Sequence, residues 1–246
     1  STNQGGDIAI EGGFGSTSGG SVIVQSGASD AGEGGSLTFQ TPASAISGSI
    51  LLTSGIAAAG ASGALTLNTG STVAGSSGSI SIEAGESTLV GADIKIVAGG
   101  SSSTSDGGSV NVESGDSLSG VGGSVRIGSG GSSTKSGEVR VASGDATTES
   151  GSVSISSGKA ASGTAGNVIV QGGSSASGVA GGVIFDMGSS ATGTGGSLKM
   201  QTGTSAQAIS GNIQIESGDG KSVSGSVLLQ TGSASLGTSG SVLLQT

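Results

Sequence analysis

Sixteen carboxylates, seven Lys and Arg side chains and a large stock of Ser and Thr hydroxyls are the groups of this 246-residue chain whose types bear on chemistry. A serine nucleophile needs a base to take its proton. The sequence has no His and no Cys, which excludes the constellations built on His bases and on thiolates and excludes disulfides. Paired carboxylates serve as general acid and base only where a pocket holds them, and most acids here fall at outward-facing positions or at corners. The many GxG matches lack the strand, loop and helix setting that a phosphate loop requires. A calcium-binding β-roll repeats every nine residues with Asp at fixed places, whereas this chain repeats about every 15 residues and Asp is sparse. No residue is assigned a catalytic, cofactor-binding or metal-binding role. The expectation is a physical job without a cofactor, not an enzyme.

The elements that would position these groups come from one phrase, cleanest at Gly225 to Gly232, which reads GSVLLQTG. With Val227 numbered 0, the phrase has Gly at −2, apolar residues at 0 and +2, usually Ser, Thr or Ala at +4, and Gly at +5. Seventeen copies run along the chain, from Ile8, Val22 and Leu37 to Val227 and Val242, at intervals of 13 to 16 residues and most often 15. Alternation within the phrase is the period-two signature of a short strand with one buried face. Gly at both ends disfavours a helix by about 1 kcal/mol each, and β-branched residues at 0 and +2 suit strands. Regular Gly reads as corners or close backbone passages. In the spacers, position +7 is always small and eight copies add Gly at +10, a pattern that predicts a second short strand with a small-residue inner face. Together these predict an all-β fold: a β-solenoid of about 17 short coils over residues 1–246, stacked parallel and in register as a single repeat domain. A β-meander is the structural rival.

Composition sets outer limits. Fifty-four Gly, three Phe and no Trp or Tyr leave only a thin possible interior. Such a Gly/Ser bias suits disorder, but disorder has no reason to keep paired apolar residues on a fixed beat. A net charge of −9 without basic clusters disfavours nucleic acid, and apolar runs of a few residues are too short to span a membrane.

Read as columns, the repeat defines surfaces. Column +3 holds Gln25, Gln40, Gln171, Gln201, Gln230 and Gln245 among other polar residues, and in a stack these amides would form an axial ladder. Column +1 holds Ile23, Leu51, Ile169, Ile184, Leu228 and Leu243 at a position whose neighbours point outward. These form a candidate lateral-contact patch. Asp93 with Lys95 and Glu138 with Arg140 lie two apart on one face, as exposed pairs worth roughly 0 to 1 kcal/mol. Neither the start at Ser1 nor the stop at Thr246 carries a cap, so end-to-end stacking of subunits, or membership of a longer array, is expected. The partner is then the chain itself. The alternative is an ice-binding or adhesive solenoid using one flat face; ice binding calls for a Thr-x-Thr ladder, and columns +1 and +3 hold Thr only at Thr38, Thr53 and Thr66.

The stretch SGSVLLQTGSASLGTSGSVLLQT, Ser224 to Thr246, and its relatives along the chain resemble the Gly/Ser-rich repeat arrays of long secreted or cell-surface proteins of unicellular algae and their relatives. That resemblance implies an extracellular or cell-surface location and a fibrous role, as in a surface hair or filament. It brings no catalytic or binding residues with it.

Overall fold

The computed structural model describes residues 5–245. Among the described residues there is no helix and no strand. The predicted β-solenoid is therefore corrected: the phrases form neither helix nor strand, and among the described residues no ladder joins one to the next. The expectations about the ends at Ser1 and Thr246 fall on residues outside the described ones.

The backbone hydrogen bonds that do form explain the correction. Seven link the Gly at +5 of one phrase to the Gly at −2 of the next, across the base of the intervening spacer. In the unit Ser1–Val125 they run from the N–H of Gly20 to the C=O of Gly13, Gly35 to Gly27, Gly108 to Gly99, and Gly123 to Gly115, at 2.8 to 2.9 Å. In the unit Arg126–Thr246 they run from Gly137 to Gly130, Gly181 to Gly173 and Gly196 to Gly188, at 2.9 to 3.0 Å. Each closes a loop of only a few residues, for which the entropic cost is low. A ladder would instead order whole coils rich in Gly, whose backbone loses the most freedom on folding, in exchange for burying two aliphatic side chains per phrase. Local closure is the smaller demand.

Within each spacer the chain bends once, between positions +8 and +11. Two devices set the bend. In five spacers the Ser at +7 accepts through Oγ from the N–H at +10: Ser29 from Gly32 at 3.0 Å, Ser117 from Gly120 at 2.9 Å, Ser175 from Gly178 at 2.8 Å, Ser190 from Gly193 at 2.8 Å and Ser205 from Ala208 at 2.9 Å. Ser87, Ser101 and Ser132 accept from +9 in the same way. In three spacers with Ala57, Thr72 or Ala160 at +7, the Gly at +10 takes positive φ instead, 94° at Gly60, 133° at Gly75 and 95° at Gly163. The predicted second strand, with +7 on its inner face, is thus replaced by a bend, and in eight spacers the Ser at +7 is its hydroxyl brace.

No described side chain is buried. The best-covered residues are half-buried, and they are Ser26, Thr41, Ala98, Gly172, Thr202 and Thr231 at +4 together with Gly15 and Ala160 at +7. What cover exists is therefore at +4 and +7, where phrase meets spacer, and not in a Val/Ile/Leu core.

Candidate functional site

The loop base is built most completely at Ser114, Gly115 and Gly123. The Gly123 N–H donates to the Gly115 carbonyl at 2.9 Å, and Ser114 Oγ donates to the Gly123 carbonyl at 3.0 Å. A Cβ on Gly123 would stand 3.1 Å from Ser114 Cβ and 3.3 Å from the Gly115 nitrogen, so a larger residue here would have to push the two sides of the loop base apart by a few tenths of an ångström. Gly123→Ala is expected to open this one loop and lose both bonds, at a cost of about 1–3 kcal/mol for the two. Amide exchange at position 123 checks it: exchange should accelerate to the rate of the neighbouring phrase residues, and unchanged protection would refute the closure.

Side chains along the phrase alternate as an extended backbone dictates. Ser81 Oγ donates to Glu83 Oε1 at 2.8 Å, and Asn111 Nδ2 donates to Glu113 Oε1 at 3.1 Å. Positions +1 and +3 thus share a face, and the bonds in this column run within one phrase. Gln25, Gln40, Gln171, Gln201, Gln230 and Gln245 stand exposed at the same +3 position, so their amides are presented to solvent or to a neighbour.

The aliphatic residues show a graded exposure. From Val22 onward position 0 is the least exposed, from 44% at Val183 to 61% at Val227, whereas Ile23, Leu51, Ile169, Ile184, Leu228 and Leu243 at +1 lie between 79% and 88%. Five of the six, Ile23, Leu51, Ile169, Ile184 and Leu228, are accordingly the most outward aliphatic groups of their phrases, while in the last phrase Leu244 at 88% exceeds Leu243 at 79%. A further apolar column escaped the sequence reading. Ile46, Val90, Val121, Val179, Ile209 and Val223 all stand four residues before a position 0 and are almost fully exposed beside the bend. Their fixed offset was the available signal, hidden because the spacers were read for their small residues.

A polar hollow in the last spacer, lined by residues including Gln230, Thr231, Ser233, Gly237 and Ser239, is open to solvent and has no carboxylate or base in its lining. Among the described residues no group of His, Cys, Asp and Glu is placed to hold a metal ion, and no helix is long and apolar enough to cross a membrane. No family model, curated protein or solved structure matches the chain.

Proposed function

We infer that this chain is a structural element of an extracellular fibre, assembled by association of copies of itself through its outward aliphatic columns. One observation carries the reading: 32% of the residues are apolar, yet none of the described ones is buried, and their exposure is ordered along the repeat instead of scattered. Scattered surface hydrophobes are ordinary. Aliphatic groups exposed at fixed positions of phrase after phrase are not, because association lowers the free energy by removing them from water. A second copy is the natural occupant, since it carries the same columns at the same spacing. The extended phrases also hold backbone N–H and C=O groups free of intrachain ladders, and such groups favour pairing with another chain. The extracellular location rests on the resemblance of the repeats to surface-protein arrays.

Sedimentation velocity with negative-stain imaging over a concentration series tests the proposal. Elongated polymers should form above a threshold concentration. A chain that stays monomeric to the limit of its solubility would overturn the reading.

A further inference from the structure

The charges are divided unevenly along the chain, although the repeat does not require it. The unit Ser1–Val125 holds ten carboxylates and a single base, Lys95, for a net charge of −9. The unit Arg126–Thr246 holds six carboxylates and six bases, Arg126, Lys135, Arg140, Lys159, Lys199 and Lys221, and is neutral. The whole net charge of the chain therefore sits in the first unit. All of these charged side chains are exposed, so their field acts outward on whatever lies alongside.

Building on the reading that copies associate, we propose that the first unit of one copy lies along the second unit of its neighbour and not along that neighbour's first unit. The 0 and +2 columns, apolar in every phrase, do not fix this register. Sliding one copy past another by whole phrases presents the same Gly and the same 0 and +2 residue types again, so their share of the hydrophobic contact is nearly degenerate over many registers. Charge removes the degeneracy. Two first units side by side set −9 against −9 with one lysine in each. A first unit against a second meets six bases distributed from Arg126 to Lys221. Like charges directly opposed across neighbouring segments are destabilising and opposite ones favourable. Complementary potentials also fix register and suppress wrong pairings more than they add affinity. At physiological salt the screening length is about 8 Å, longer than the separation of side chains in contact, so the selection acts where the copies touch.

The chain has no Cys, so one dye can be placed on each of two variants of the full chain, S76C in the first unit and S189C in the second. Both positions are exposed. Donor-labelled S76C is mixed with acceptor-labelled S76C or with acceptor-labelled S189C, and energy transfer between copies is read in the sedimenting assemblies. Transfer to position 189 should exceed transfer to position 76 several-fold at low salt. The difference should collapse near 1 M salt, where the screening length falls to about 3 Å. Assemblies in which transfer to position 76 equals or exceeds transfer to position 189 at low salt would overturn the register while leaving the fibre reading intact. Absence of any assembly would overturn both.

Discussion

Lysine at both Ile184 and Leu228 is expected to suppress assembly strongly while leaving the isolated chain unchanged. The two side chains are 88% and 80% exposed, so an isolated copy loses no packing when they are replaced. In an assembly each aliphatic side chain withdrawn from water contributes about 1.5–3 kcal/mol. Removing two therefore forfeits about 3 kcal/mol or more, which raises the concentration needed for assembly by about a hundredfold. The matched control is S177K with S222K, two bend residues at position +9 in the same unit. It adds the same charge without touching the aliphatic column. The control should assemble at least as readily as the parent chain, because added positive charge in the second unit complements the acidic first unit. Equal loss in both variants, read by sedimentation, would mean that charge and not aliphatic contact governs assembly.

The local half of the structure was legible in the sequence and the long-range half was not. Period-two alternation predicts that +1 and +3 share a face, and Ser81 with Glu83 and Asn111 with Glu113 do, but the strands expected from it do not form among the described residues. Alternation says nothing about whether a neighbouring segment supplies the ladder. That depends on whether coil-length closure is rewarded, and phrases carrying two aliphatic residues between glycines reward it little. The paired Gly at +5 and −2 mark places where backbones pass closely, as at Gly115 and Gly123, whereas the bends and the positive φ values lie between them, at +8 to +11. A coil would make them corners; in seven spacers they are the two sides of one loop base. Position +7 was read for its size, although it is Ser or Thr in ten of sixteen spacers. Its hydroxyl chemistry, not its volume, was the signal, as the bond from Gly178 to Ser175 makes plain. Ile23, Leu51, Ile169, Ile184, Leu228 and Leu243 are exposed together with every other large aliphatic side chain among the described residues, because no neighbouring segment packs on any phrase.

These differences converge on one property of the isolated chain: its protected amides should be those of the loop bases and not those of the phrases. Amide hydrogen exchange, resolved by residue on a dilute monomeric sample, measures this directly. Exchange should be slowed at Gly20, Gly35, Gly108, Gly123, Gly137, Gly181 and Gly196, whose N–H groups close the spacers. It should run near the unprotected rate through phrase segments such as Val22 to Gln25 and Val227 to Gln230, which form no ladder. Protection at every second residue through the phrases of the monomer would reveal pairing between successive segments and would contradict the open, locally closed chain described above.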